Sequence, residues 1–252
     1  MADLNGKTIL VTGASRGIGT ATLARLLQEG ANVVAHYNSG VGGIAALVEE
    51  YGENRLLPAQ ADLSDRQSLD GLWQTAVSWK AGLDGVVNNA AVIDSVTPEA
   101  DDDEWRSRWD HVMAVNLTAV ADLCRHAILH YKTRAGGAIV NIASRAAFRG
   151  DLPDSIHYAA SKGGVVALTR SIAKGYAADN ILAYIVAPGW VATDRVMPKL
   201  TAPGNERLLE EIPMGSAAPP GEVANIICFL LAGKARHATG CTFDINGASY
   251  FH

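Results

Sequence analysis

The sequence predicts an α/β fold, a doubly wound parallel sheet of about seven strands between two layers of helices. Three observations predict it. Strand-like apolar runs recur along the chain, segments long enough for helices separate them, and a glycine-rich turn follows the first run directly. This alternation implies right-handed crossovers between parallel strands and a sheet buried on both faces.

The first strand lies in KTILVT, 7 to 12, and runs into TGASRGIG, 12 to 19, which opens a helix over 18 to 29. NVVAHY, 32 to 37, is the second strand and RLLPAQ, 55 to 60, the third, with a helix over 65 to 80 behind it. LDGVVN, 83 to 88, is the fourth. An insertion, SVTPEADDDEWRSRW at 95 to 109, follows; its acidic cluster Asp101 to Glu104 caps and solvates a helix start. A helix over 116 to 132 leads to GAIVNIA, 137 to 143, and one over 156 to 178 leads to ILAYIVA, 181 to 187. A second insertion, 190 to 219, is rich in Pro, Met and Gly and sits where ligand lids sit. A helix over 220 to 232 and the strand TFDIN, 242 to 246, complete the series. No linker, repeat or low-complexity run interrupts it, so one domain is expected over 1 to 252. Both insertions follow strands, which puts them at the carboxyl ends of the sheet, where open α/β sheets bind ligands.

The composition, 48% hydrophobic and 19% charged, is that of a globular protein, and the net charge of -5 argues against a nucleic-acid or anionic-membrane surface. A small-molecule partner is the better expectation. MADLNGKTIL shows no signal-peptide pattern, and the longest later apolar run, IICFLLA at 226 to 232, is far short of the roughly 20 residues of a membrane helix, so a cytoplasmic location is expected. Cys124, Cys228 and Cys241 are widely spaced and read as core or interface thiols. His126 and His130 share a helix face near Cys124 but lack a fourth ligand, so no metal site is expected.

Gly13, Gly17 and Gly19 do not fit the G-x-G-x-x-G spacing, yet the physical task is the same. Gly13 suits a tight turn, Gly17 lets backbone approach a pyrophosphate at the helix N-terminus, and Gly19 permits close helix-sheet packing. At the end of the second strand, where a carboxylate would hold an NAD ribose, the chain reads HYNSG and the next acidic residue is Glu49. With nothing there to repel a 2'-phosphate, and Arg16 beside the turn, NADP(H) is favoured and NAD(H) is the alternative. A polar loop that grips neither ribose strongly is the blander reading.

DSIHYAASKGG, 154 to 164, sets Tyr158 and Lys162 one helical turn apart. Alone, that pair is a common solvated helix face; Ser144 alone is a turn residue, and Asn116 alone a helix cap. Together with TGASRGIG, NNAA at 88 to 91, YAASK at 158 to 162 and PGWVAT at 188 to 193, in this order over nearly the whole length, they resemble the single-domain short-chain dehydrogenase/reductases, and 3-oxoacyl-acyl-carrier-protein reductases in particular. The resemblance implies a Rossmann-like NAD(P)(H) oxidoreductase, commonly a homotetramer and otherwise a homodimer. It assigns Asn116, Ser144, Tyr158 and Lys162 to catalysis, Asp62 to the adenine ring and Thr193 to the nicotinamide carboxamide. Along the cofactor it further places Ser15 and Ile18 of the turn, Tyr37, Asn38 and Ser39 after the second strand, Leu63, Asn89 and Ala90, and Pro188, Gly189 and Val191. Lys162 would hold the nicotinamide ribose and Asn116 a water. Two departures stand out: Ala91 replaces a usual glycine, and Asn246, Gly247 and Ala248 replace an Asp-Gly-Gly ending, which bears on subunit contacts.

Ketone reduction needs a hydride donor and, at the same moment, a proton for the oxygen. A tyrosine supplies it reversibly if its pKa falls from about 10 towards neutrality, worth roughly 4 kcal/mol. One ammonium about 4 to 5 Å away is sufficient at an effective dielectric near 20, so Lys162 is expected to lower Tyr158, helped by the helix dipole if Asp154 or Ser155 caps this helix. Ser144 would donate to the substrate oxygen. A non-catalytic NADP-binding regulator would be expected to lose Tyr158 or Lys162, and an epimerase of the extended branch has no room for a substrate domain after 190. Lys132, Arg134 and Lys174 would suit an acidic carrier protein, whereas a sugar, polyol or steroid-like alcohol stays open; His157, before the tyrosine, is read as a marker of the substrate.

Overall fold

The computed structural model describes residues 3–252. Seven strands, β1 (Thr8–Val11), β2 (Asn32–Tyr37), β3 (Leu56–Gln60), β4 (Gly85–Asn88), β5 (Gly137–Ile142), β6 (Ile181–Pro188) and β7 (Thr242–Ile245), form one all-parallel sheet in the order β3-β2-β1-β4-β5-β6-β7. The helices are α1 (Gly17–Gln28), α2 (Ile44–Tyr51), α3 (Arg66–Ser78), α4 (Asp102–Met113), α5 (Ala119–Lys132), α6 (Ala146–Arg149), α7 (Ile156–Tyr176), α8 (Met197–Leu200), α9 (Glu206–Glu210) and α10 (Pro220–Leu231). This is the Rossmann-like α/β arrangement the alternation predicts.

The central strands are apolar on both sides because each side meets helices. Ile9, Val11, Val33, Val87 and Val140 pack with Leu23, Leu26 and Ile227 of α1 and α10; Leu10, Val34, Val86 and Ile139 pack with Leu72, Leu123 and Val165 of α3, α5 and α7. Each such buried aliphatic side chain contributes about 1.5–3 kcal/mol. Strand order reverses between β1 and β4, so their carboxyl ends open a crevice of the kind in which open α/β sheets bind ligands.

Helix α2 is absent from the expected elements. Its pattern is nevertheless present, since Ile44, Leu47, Val48 and Tyr51 fall at helical spacing and pack on the core; the polar, glycine-rich approach and only eight residues obscure it. The second difference concerns 95 to 132. Asp101 caps α4 as expected, its Oδ1 accepting from the amides of Asp103 (3.1 Å) and Glu104 (2.9 Å). The chain then does not pause before 116. It continues through a π-turn, Ala114–Thr118, directly into α5, so Asn116 lies inside a continuous helix and is not its cap. An 18-residue window of this 31-residue helix, with mean hydropathy 1.4, matches a membrane span by length and composition alone. Its apolar side, Val120, Leu123, Cys124 and Ala127, faces the core, which accounts for that composition.

Near the C-terminus Gly247 and Ala248 both have positive φ, 61° and 66°. Ala248 therefore stands, at some strain, in a backbone conformation that favours the glycine it replaces.

Candidate active site

At the β1 end, Gly13 (φ 64°) and Gly17 (φ 56°) take left-handed conformations that side chains resist. A Cβ on Gly13 would meet Ala90 Cα at 2.7 Å, one on Gly17 would meet Thr193 Cγ2 at 3.0 Å, and one on Gly19 would meet Gly13 O at 2.1 Å. The turn is therefore shaped around missing side chains. Thr12 Oγ1 accepts from the amides of Asn89 and Ala90 (3.0 Å each), while Asn89 Nδ2 donates to the carbonyls of Thr12 (2.9 Å) and Gly13 (3.0 Å). NNAA thus clamps the turn. Buried His36 holds it from the other side: its Nδ1 accepts from Gly13 N (3.1 Å) and its Nε2 donates to Ala61 O (3.0 Å). Both contacts require the neutral ring, and burial lowers its pKa accordingly. Thr12 and His36 were not expected; only their positions at the ends of β1 and β2 hint at the role.

The N-terminus of α1 carries exposed Arg16 and no acidic residue in its first turn, and Ser15 lies in the bend before it. This cation-tipped, side-chain-free turn fits a dinucleotide pyrophosphate. Beyond β2, Tyr37 is half-buried, Asn38 and Ser39 are exposed, and no carboxylate occupies 38 to 40. Exposed Asp62 is held by Ser64, whose amide (2.8 Å) and hydroxyl (2.7 Å) both donate to its Oδ1; these bonds keep its carboxyl below the ordinary value. The side chain of Leu63, the next residue, is buried in the core.

A cavity of about 470 Å³ adjoins the turn. Of the expected residues, Ile18, Asn89, Ser144, Tyr158, Lys162, Pro188, Gly189, Val191 and Thr193 line it. Gly13, Ser15, Arg16, Gly17, Gly19, Tyr37, Asn38, Ser39, Asp62, Leu63 and Ala90 lie outside its lining, at or just beyond the carboxyl ends of β1, β2, β3 and β4.

Ser144 follows β5, and its hydroxyl lies near enough to that of Tyr158 to favour the phenolate. Its Oγ also accepts from Ala146 N at 3.1 Å. Tyr158 occupies the first turn of α7, though neither Asp154 nor Ser155 caps that helix with a side chain; the Ser155 hydroxyl donates to Asp154 instead. Lys162 is 2% exposed, donates from Nζ to Ile142 O at 2.7 Å, and lies 5.8 Å from the Tyr158 ring centre. Asn116, fully buried, grips the loop after β4 through both ends of its amide: Oδ1 accepts from Val92 N and Nδ2 donates to Val92 O, each at 2.9 Å. The π-turn, having an extra residue, is what aims this side chain inward.

The electrostatics correct one expectation. Tyr158 is not lowered: burial pushes its phenol up and Asp151 adds to that, against the Ser144 hydroxyl and Arg195. Burial instead lowers the Lys162 amine to about 8, its charge being turned to the Ile142 carbonyl.

His157 does not mark the substrate. It is fully buried away from the cavity, stacked on Trp109 (6.4 Å) and tilted against Trp105 (6.5 Å), with Nε2 donating to Asp94 O at 2.6 Å. It fastens the 95 to 109 insertion to α7. The insertion at 190 to 219 forms α8 and α9; a bridge between Val191 and Ala218 closes its base, and Trp190, Val196, Lys199, Leu208 and Glu211 form one cavity wall.

The turn, the fold and the serine, tyrosine and lysine around one cavity define a nicotinamide-dependent oxidoreductase class. A family model for the short chain dehydrogenases matches residues 7–203, and the chain belongs to the short-chain dehydrogenase/reductase family as an NAD(P)-dependent oxidoreductase. It is 33% identical over 247 residues to the 3-oxoacyl-(acyl-carrier-protein) reductase FabG of Staphylococcus aureus, covering 97% of this chain and 98% of that one. It is 37% identical over 250 residues to 3beta-hydroxysteroid dehydrogenase 1 of Eggerthella lenta (97% and 94% covered), and 34% identical over 249 residues to nodulation protein G of a Rhizobium species (98% of each).

Proposed function

We propose that the chain transfers a hydride, with NADP(H) as its preferred cofactor, between the nicotinamide and a ketone or secondary alcohol, Tyr158 serving as acid and base. The observation that carries this reading is the meeting of Ser144, Tyr158 and Lys162 on the wall of one cavity, with Asn116 bracing the loop behind them. When bound, the cofactor supplies or accepts the hydride. Gly13, Gly17, Arg16 and Thr193 hold it at the turn, and Asp62, Tyr37, Asn38 and Ser39 flank its adenosine end. Ser144 and Tyr158 donate to the carbonyl oxygen, and the proton that makes it an alcohol comes from Tyr158 Oη. A phenol held up by burial stays protonated, which suits the reducing direction. The 190 to 219 segment is the cover of this site, within a single functional domain.

Lys162 is charged below about 8 and neutral above it. If its ammonium holds the ribose, kcat/KM for reduction declines as pH rises through about 8, and Lys162→Arg moves that decline upward. A profile flat to about pH 10, where a free lysine titrates, shows that burial does not lower this ammonium in the working enzyme, and turnover by Lys162→Met at the wild-type rate removes it from the role.

The cofactor preference rests on the uncharged end of β2 and on exposed Arg16. NADPH is expected to bind more tightly than NADH by about tenfold, and Arg16→Ala to erase most of the difference. Fluorescence titration of both dinucleotides tests it; tighter NADH binding overturns it. A panel of ketones and alcohols with both cofactors, scored by absorbance of the reduced nicotinamide, tests the reaction.

A 3-oxoacyl thioester and a steroid-like alcohol are both compatible with the names of the relatives; a sugar alcohol is named by none of them. The carrier-protein reading loses two of its three basic residues to local partners: Lys132 pairs with Asp179 at 3.5 Å, and Arg134 donates to Ala81 O at 2.8 Å and lies near Asp84. A homotetramer or homodimer acting in the cytoplasm is the expected state; the exposed groove between α5 and α7, with half-exposed Leu129, is the face suited to pairing.

A further inference from the structure

The cavity is cationic in a chain of net charge -5. Five cations line it, Arg145, Arg149, Lys162, Arg195 and Lys199, against two carboxylates, Asp151 and Glu211. Lys162 and Arg195 stand beside Tyr158; Arg145 and Lys199 lie over Trp190, and Arg149 meets Arg145 at Glu211.

Arg145 is the unusual member. It directly follows Ser144, its side chain is only 6% exposed, and its guanidinium lies 5.4 Å from the Trp190 ring centre, with Nη1 donating to Ser249 at 2.9 Å. Burying such a charge is costly unless an anion meets it at close range. Among the described residues the one carboxylate within ion-pair distance is Glu211, at 3.7 Å, and its same Oε2 is shared with Arg149 at 3.4 Å. Both distances exceed the roughly 2.7–2.9 Å of a charge-assisted pair. Glu211 is itself 46% exposed, on the cover just after α9. Glu211 and Asp151 offset only part of what burial and Arg149 take from the guanidinium, whose pKa is lowered. The Trp190 indole Nε1–H is buried without an acceptor in the same wall. Two guanidiniums therefore share one loosely seated, solvent-reaching carboxylate.

We propose that the substrate is a keto acid or hydroxy acid, whose carboxylate takes the place of Glu211 between Arg145 and Arg149 while its carbonyl or carbinol group lies at Ser144 and Tyr158. This rests on the oxidoreductase reading above. Planar guanidinium forks match a carboxylate in two-point geometry, which a sugar hydroxyl or an ester does not reproduce. Displaced Glu211 turns to solvent, so the cover and the anion site respond to the same ligand.

The test compares levulinate and longer straight-chain keto acids, each beside its methyl ester, with binding read on the protein holding NADP+, which cannot reduce them, and turnover read with NADPH. Calorimetric binding is measured on the wild type, Arg149→Gln and Glu211→Gln, and turnover on the wild type. The best acid is expected to bind about tenfold or more tightly than its ester. Arg149→Gln brings that ratio close to one, and Glu211→Gln raises it by removing the competing carboxylate. Equal binding of acid and ester throughout the series, or a ratio untouched by both substitutions while the unfolding midpoint shifts, overturns the proposal and leaves Glu211 a structural latch. Selective acid binding without turnover of any acid or ester counts against the oxidoreductase reading and leaves the anion site standing.

Discussion

Tyr158→Phe is expected to lower kcat for ketone reduction by about a thousandfold, with dinucleotide affinity held within about twofold. The substitution removes only the hydroxyl, and the remaining ring fills the same wall of the cavity beside Ser144. No other phenol lines the cavity, so no neighbouring tyrosine replaces the proton source. Steady-state kinetics beside a binding titration separates chemistry from folding. Wild-type turnover in this variant would exclude the phenol as acid.

Gly19→Ala is expected to weaken dinucleotide binding by about a hundredfold, near 3 kcal/mol, and to lower stability as well. The new Cβ would stand 2.1 Å from Gly13 O, 2.8 Å from Ala14 Cα and 2.9 Å from Asn89 Nδ2. Two of these atoms are backbone, and the amide is committed to the carbonyls of Thr12 and Gly13, so α1 or the turn itself must move. Gly71→Ala in α3 is the matched control: nothing lies within 4 Å of its Cβ, and the helix should gain about 0.5–1 kcal/mol. Titration with NADPH and a denaturant melt of both variants decide the matter. Normal affinity in Gly19→Ala would mean that the turn tolerates displacement and does not shape the pyrophosphate site.

Features that depend on local periodicity are legible in the sequence. NVVAHY is β2 to the residue, five of the other six strands fall within the runs that alternation marks, and β6 outruns its own by one residue, Pro188. The placement of Ser144, Tyr158 and Lys162 follows, since strand ends and helix faces position them. Features made by distant partners are not legible. Asn116 reads as a cap until the π-turn carries it inside a helix, because one extra residue per turn leaves no trace in apolar spacing. His157 reads as a substrate marker until its partners, Trp105, Trp109 and the Asp94 carbonyl, arrive from some fifty residues away. The direction of the Tyr158 shift fails for a related reason: i, i+4 spacing brings the ammonium near, while burial and the Ile142 carbonyl decide what it does. Arg145 and Glu211, separated by a strand and a cover segment, have no sequence signal beyond their charge.

The central claim is tested most directly with NADPH deuterated at its transferring position, a ketone reduced by the wild type, and mass analysis of the alcohol. The account predicts deuterium on the carbinol carbon in one-to-one ratio with cofactor oxidised, and formation of that labelled alcohol slowed about a thousandfold in Tyr158→Phe under the same single-turnover conditions. Cofactor oxidation without label in the alcohol, or equal labelling by the variant at the wild-type rate, would contradict it.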